Sequence, residues 1–451
     1  MLLLRRGVRL FACIGLVAVY TTGSVGAADG LSREEKVRAD RARVEADGFW
    51  IYNDLPRAYR EAERTGKPLL VSLRCIPCEE CVKLDDELID QDPVIRPLLQ
   101  KFVCVRVVGT NGLDLDTFQY DTDQSFAMFM LNADKTIYGR FGTRSHRTDW
   151  LGDVSVEGMA AALEGALLLH AKYPEIRNRL EGKRGESLEF SSPEKYPTLR
   201  DKYSDKLNYS GNVVQSCIHC HQIGDARRDF YWQQNEAIPE KLLFPYPHPK
   251  SIGLILDPKH RARVSEIRPE TPAAQSGLQE GDDIISLDGQ PLLSMADVQW
   301  VLHQQDSRGA EMDWLVRRDG QLTRGTMVLR DGWRRLDDPR WRVASWGLAR
   351  MMTGGMRLEA LSQEERAERK VPDGQMALRV THAGKYGDHA TARRAGMRPD
   401  DIVMGYDGRT DLMREADLFA YASENRKIRD RVAIRFVRDG RERTLQIPIQ
   451  K

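Results

Sequence analysis

The sequence predicts a multidomain α+β protein: a layered α/β domain, a polar segment of helical or irregular character, and two related units after it. Three observations carry this. At 451 residues the chain exceeds one ordinary core and suggests roughly three domains. Residues 50–172 alternate strand, helix and strand, then a hairpin, then a helix, an order that builds an α/β layer fold. A stretch at 271–289 returns in weaker form at 392–408, a spacing of about 120 residues that indicates a duplicated domain rather than short repeats.

The composition, 41% hydrophobic and 30% charged, is that of a globular chain. Nothing in the net charge of +1 argues for nucleic acid or an anionic membrane surface as partner, and neither is expected. The N-terminus has the form of a secretory signal. Arg5, Arg6 and Arg9 make a basic start, Leu10 to Tyr20 is a short apolar run, and Val25-Gly26-Ala27 offers a small-residue cleavage site. Export to the periplasm or beyond is the expectation; an uncleaved signal would leave an N-terminal membrane anchor. Without residues 1–27 the chain carries 65 basic and 67 acidic residues. Six cysteines then remain, and clustered cysteines suggest chemistry rather than scattered structural disulfides.

Residues 28–49 read as a charged, solvent-exposed helical lead-in, with Ser32 and Glu35 spaced as a capping box. Leu55 to Arg64 has helical character and stops at Thr65-Gly66-Lys67-Pro68. Leu69 to Leu73 and Phe102 to Val108 are apolar runs of strand length. A helix is expected over 81–89. Strands over 127–131 and 136–141 flank the turn Asn132-Ala133-Asp134-Lys135, and Ser155 to His170 forms a long helix.

Directly after the first apolar run comes Cys75-Ile76-Pro77-Cys78-Glu79-Glu80-Cys81. A thiol where a strand opens into a helix is stabilised as thiolate by unpaired N–H groups, and a second thiol three residues on is within disulfide reach. Lys67 to Leu73 followed by C-x-x-C resembles the thioredoxin superfamily over residues 50–172. That resemblance implies Cys78 as the attacking and Cys81 as the resolving thiol, with Cys75 an addition. Cys75 leaves open a Cys75–Cys78 pair, a three-thiolate metal site or a structural disulfide. Two departures stand out: no proline lies in 123–128, where the family carries a cis-proline, and Glu79 and Glu80 between the cysteines oppose thiolate formation. Cys104, on an apolar strand, reads as a core thiol.

Residues 173–249 are polar with little apolar periodicity, and contain Cys217-Ile218-His219-Cys220-His221. This C-x-x-C-H is the pattern of haem c attachment, with thioethers at Cys217 and Cys220 and His221 as iron ligand. One covalent haem c is therefore expected, and a haem would supply the core this segment lacks. A second thiol pair or half a zinc site remains open. The sixth iron ligand has candidates in His170, His248, Met351, Met352 and Met356, or an open position.

Thr271 to Gly289 combines Pro-Ala-x-x-Gly-Leu with Gly-Asp-x-Ile and a terminal Gly. This resembles the PDZ domains of exported bacterial proteases, over residues 250–331. The resemblance implies that the loop Ile252-Gly253-Leu254-Ile255 holds a peptide C-terminus as an added strand. A divergent second unit covers 342–449, with Gly355-Met356-Arg357-Leu358 at the loop position. No protease domain or Gly-x-Ser-x-Gly accompanies them. The whole order resembles a small bacterial family of exported thioredoxin–PDZ proteins, some carrying selenocysteine in the redox cluster. The expected function is an exported thiol–disulfide oxidoreductase or redox relay coupling Cys78/Cys81 to haem c, with PDZ units docking protein or peptide partners. The alternative is a non-enzymatic PDZ scaffold or a redox or metal sensor of the cell envelope.

Overall fold

The computed structural model describes residues 31–74, 92–124, 126–143 and 153–451. The signal region, the cysteines at 75, 78 and 81 and the helix expected over 81–89 lie outside the described residues. No helix among the described residues is long and apolar enough to cross a membrane.

The capping box forms as its spacing predicts. Ser32 Oγ accepts from the Glu35 N–H at 3.3 Å and Glu35 accepts from the Ser32 N–H at 2.8 Å, opening α1 (Arg33–Asp47). The lead-in is not simply solvent-exposed, however. Val37, Asp40 and Val44 are buried, and Asp40 accepts from the buried Arg74 guanidinium at 2.6 Å. Two apolar residues seven apart on one helical face suffice to dock an otherwise charged helix.

The first sheet contains β1 (Ile51–Tyr52), β2 (Leu69–Arg74), β3 (Val103–Val107), β4 (Phe126–Leu131) and β5 (Ile137–Thr143), ordered β1-β3-β2-β4-β5. β1, β3 and β2 run parallel; β4 and β5 are antiparallel to what they meet. Continuous apolar runs are needed because both faces are covered. Leu70, Cys104, Met128 and Met130 pack toward α3 (Ile95–Leu99) and α4 (Val156–Ala171). Leu69, Val71, Val103, Val105 and Phe129 pack toward α2 (Leu55–Thr65). Cys104 is the core thiol expected, 3% exposed.

The segment 173–249 has no core of its own because it adds residues to those of its neighbours. Tyr196, Leu199, Ile218 and Ile223 join the α2 side of the first sheet. Trp232, Ile238, Leu242 and Phe244 join the core of the last unit. Between them runs α5 (Cys220–Trp232), fastened by Glu189, which accepts two bonds from Arg227 at 2.9 Å and one each from Tyr196 and Tyr231. The absent apolar periodicity reflects a chain that buries single residues against its neighbours, and a haem is not needed to supply a core.

The two C-terminal units share one topology. The first orders its strands β11 (Gln321–Arg330), β10 (Gly309–Arg318), β8 (Asp283–Leu287), β7 (Arg263–Ile267) and β6 (Leu254–Asp257), with β9 (Gln290–Pro291) on β8; the second orders β16 (Arg441–Pro448), β15 (Arg431–Arg438), β14 (Ile402–Tyr406), β13 (Leu378–Ala383) and β12 (Met356–Ala360). The edge strands β6 and β12 correspond, as do the helices α6 (Met295–Gln304) and α7 (Glu415–Asn425). A local fastening repeats too. Arg318 holds Asp282 at 2.7 Å and the Gly277 carbonyl at 3.0 Å; Arg438 holds Asp401 at 2.6 Å and the Gly396 carbonyl at 2.8 Å.

Arg342, 3% exposed, joins the modules. Its guanidinium donates to both Asp121 oxygens at 2.7 Å, lies 3.6 Å from Asp123 and 3.7 Å from Asp337, and also donates to the carbonyls of Pro245 and Tyr246. Removing one member of a buried ion network leaves the others uncompensated, at about 3–5 kcal/mol. Arg342→Ala should lose about that much stability in chemical denaturation of the full chain, and Arg342→Lys, which lacks the fork, should recover little of it.

Candidate functional site

The parallel strands β2 and β3 end side by side. β2 ends at Arg74, one residue before Cys75 in the sequence, and β3 leads into Val108-Gly109-Thr110-Asn111. The C-x-x-C-H is fastened to that second turn. Thr110 donates to the Ile218 carbonyl through its N–H at 3.1 Å and its hydroxyl at 2.8 Å. Asn111 accepts from the Ile218 N–H at 2.9 Å and donates to the Ser216 carbonyl at 2.9 Å. From the other side α1 holds the approach: Glu34 accepts from Val213 and Val214 N–H, and Arg38 donates to the carbonyls of Tyr209 and Gly211. Thr110, Asn111 and Glu34 are positioning residues that sequence reading passed over. Asn111-Gly112 carries an ordinary turn signal, and nothing local tells which distant segment it will hold.

Cys217 is 6% exposed, its sulfur 3.9 Å from the Val108 carbonyl and packed against Gly109. Burial, together with the nearby Cys220, pushes its thiol up to about 12. Cys220 is half-buried and is the first residue of α5. His221 is partly exposed, with Nδ1 3.3 Å from Asp225 one turn on; His219 stacks beside it at 6.1 Å, and burial lowers its pKa. Leu73, Arg74, Gly109, Cys217 and Cys220 line a cleft of about 10 Å³, roughly the room one water needs.

This arrangement does not fit haem c. A thioether anchor must present both sulfurs to one porphyrin edge, yet a Cβ placed on Gly109 would lie 3.0 Å from the Cys217 sulfur, so protein already occupies that side. The expected sixth ligands are engaged elsewhere. His170 meets the Tyr138 hydroxyl at 2.8 Å and the Gly66 carbonyl at 3.0 Å. His248 accepts from the Lys250 N–H and faces Asp153 at 3.4 Å. Met351, Met352 and Met356 are core residues of the last unit. Nor do three or more His, Cys, Asp or Glu side chains among the described residues converge on a metal position.

In the third unit of the chain, Ile252 and Leu254 are core residues, Ile255 is partly exposed, and Gly253 takes a φ of +83°, turning the chain into edge strand β6. The Gly253 N–H turns back onto the Lys250 carbonyl at 3.2 Å. The groove between β6 and α6 is met by the first domain: Phe141 and Val154 face Leu256, Met295 and Ala296, leaving about 10 Å³. Every residue of α6 from Met295 to His303 is buried. Asp297 and Lys183, both with fully buried side chains, pair at 2.9 Å, and the Arg140 guanidinium stacks 3.7 Å from Trp300. In the last unit the corresponding edge donor is taken from within, since the Leu358 N–H donates to Glu415 Oε1 at 2.8 Å. β6 is therefore the free edge strand of this sheet, paired with β7 alone.

The family comparisons agree with this division. Residues 50–133 match the thioredoxin-like family model and residues 248–326 the PDZ domain model. The chain is thus a mixed α/β multidomain protein with thioredoxin-like and PDZ domains. Solved structures similar to parts of it include a serine endoprotease from Yersinia pestis, at 25% identity over 15% of this chain and 25% of that one, TM-score 0.15. The HtrA-type protease AlgW with a decapeptide matches at 20% identity over 22% and 28%, TM-score 0.17. The HtrA3 PDZ domain bound to a phage-derived ligand matches at 25% identity over 16% and 66%, TM-score 0.14. The chain spans about a quarter of the two protease chains. No curated protein matches it.

Asp153 ties the two domains beside the groove, 3.0 Å from Lys250 and 3.4 Å from His248. Burial works to raise its carboxyl, but His248 and Lys250 outweigh burial and hold it down at about 2. A depressed acid contributes stability above its unfolded pKa, near 4, and loses it as pH falls through the folded value. The full chain should lose about 2 kcal/mol from this group between pH 4 and 2. Asp153→Asn should show that loss already at pH 7, and the gap between the two proteins should close in acid, as read from denaturation midpoints.

Proposed function

We propose that this protein is an exported thiol–disulfide oxidoreductase whose PDZ domain docks the polypeptide it acts on. The thioredoxin-like match over residues 50–133, with Cys75, Cys78 and Cys81 directly after the end of β2, carries this reading. The reactive pair is Cys78 and Cys81, with Cys78 attacking a substrate disulfide and Cys81 resolving the mixed disulfide. The loop ahead of β4, which lacks the family's proline, is held instead by Arg342 on Asp121 and by the Ala344 N–H on Asp123 at 3.1 Å. That gives the substrate-facing side of β4 a fixed backbone without the proline. Haem c has no place in this reading, because the Cys217 sulfur is packed beneath protein.

A PDZ domain is a protein-docking module, and strand addition at β6 supplies backbone hydrogen bonds, each contributing about 0.5–1.5 kcal/mol net. The first domain leans on the same groove, so docking and that contact compete. Dithiothreitol-driven reduction of insulin disulfides tests the redox reading in a chain whose Cys217 and Cys220 are both changed to Ser: there Cys78→Ser and Cys81→Ser should each abolish turnover, while Cys104→Ser retains it. If both variants turn over like the parent, the thiol reading is wrong and the scaffold reading takes its place.

Docking is tested separately, by titrating free-acid peptides with apolar C-termini into the full chain. Amidated peptides should bind more weakly. Asp153→Asn, which loosens the covering contact, should bind free acids more tightly. Gly253→Glu would not serve here, because any Cβ at that φ runs into the Thr271 side chain and strains the fold.

A further inference from the structure

The C-x-x-C-H remains without a role once haem does not fit, and its geometry suits a different chemistry. Cys220 is the first residue of the 13-residue α5 and Cys217 lies three residues before it in the preceding loop, both lining one small cleft, so a local turn of that loop can close an intrachain disulfide. The loop that carries them is fastened at Ile218 by Thr110 and Asn111, so the pair has a fixed backbone. The two sulfurs differ in access: Cys217 is 6% exposed and packed against Gly109, whereas Cys220 is half-buried where the helix opens. An accessible thiol backed by a buried one three residues away is the asymmetry an attacking and resolving pair requires. Both border the cleft at the ends of β2 and β3, alongside Leu73 and Arg74.

We propose that Cys217 and Cys220 form a second redox dithiol, independent of Cys78 and Cys81, in which Cys220 attacks a substrate disulfide and Cys217 resolves it. In the first step the Cys220 sulfur bonds to one substrate sulfur, the substrate S–S bond breaks, and one substrate thiol leaves. In the second step the Cys217 sulfur bonds to Cys220, the mixed disulfide breaks, and the second substrate thiol leaves. The pair is oxidised by two electrons, and the substrate disulfide takes those electrons and the two protons. The reverse sequence, with an external dithiol, restores the pair.

The test uses the full chain with Cys75, Cys78 and Cys81 all changed to Ser, which silences the first cluster. The protein is expressed in a host able to mature c-type haem. Intact mass should equal the polypeptide without a haem, and the pyridine haemochrome spectrum should be blank; a haem adduct overturns the proposal. After incubation with oxidised glutathione, peptide mapping should find a Cys217–Cys220 disulfide. In the reduced protein, iodoacetamide should label Cys220 at least roughly tenfold faster than Cys217. Cys217→Ser should accumulate a glutathione adduct on Cys220, and Cys217→Ala provides the same reading if the serine is poorly accommodated. Cys220→Ser should form no adduct while folded. Equal labelling of the two thiols, or no disulfide under oxidation while the urea-unfolded chain forms one, would show a packing role only. Because Cys78 and Cys81 are absent throughout, these results neither depend on nor decide their activity.

Discussion

The buried Arg342 guanidinium is the constraint on which the arrangement of modules depends. A cation with 3% exposure cannot keep its hydration, so its donors must find protein acceptors. It finds them in three places at once: the carboxylates ahead of β4, the carbonyls of Pro245 and Tyr246 in the connecting segment, and Asp337 at the approach to the last unit. A planar fork satisfies several acceptors in one geometry only, and the modules are fixed relative to one another by that geometry. Burial pushes the Asp121 carboxyl up to about 6, with Arg342 opposing the rise and Asp123 adding to it.

A second buried network does the same for the PDZ domain. Lys183, from the connecting segment, and the Arg140 backbone, from β5, converge on Asp297 in α6. The helix that would wall a peptide groove is thereby built into the interface with the thioredoxin-like domain. The PDZ groove and the domain packing thus draw on one surface.

The connecting segment shows how a chain with little apolar periodicity becomes ordered. Its buried residues are single contributions to neighbouring cores, and Glu189 gathers Arg227, Tyr196 and Tyr231 between them. Burial works to raise that carboxyl, but Arg227 and Tyr196 outweigh it and hold it down at about 2. The cysteine motif inside the segment is placed by this borrowed order. It hangs from Thr110 and Asn111, more than a hundred residues earlier in the chain.

Much was legible in the residues alone. Apolar runs marked β2, β3, β4 and β5, Asn132 to Lys135 marked the hairpin, Ser32 and Glu35 marked the start of α1, and the Gly-Asp-x-Ile repeats marked two related units. Each depends on interactions within a few residues, which periodicity and capping encode directly. The C-x-x-C-H spacing also stood out, but spacing reports only which atoms are near in sequence. Whether Cys217 faces a cofactor or lies beneath Gly109 depends on a loop from another domain, and whether Ile252 to Ile255 meets a peptide depends on Phe141 and Val154. Burial and partnership between distant segments are set by packing, and only the tertiary structure decides them.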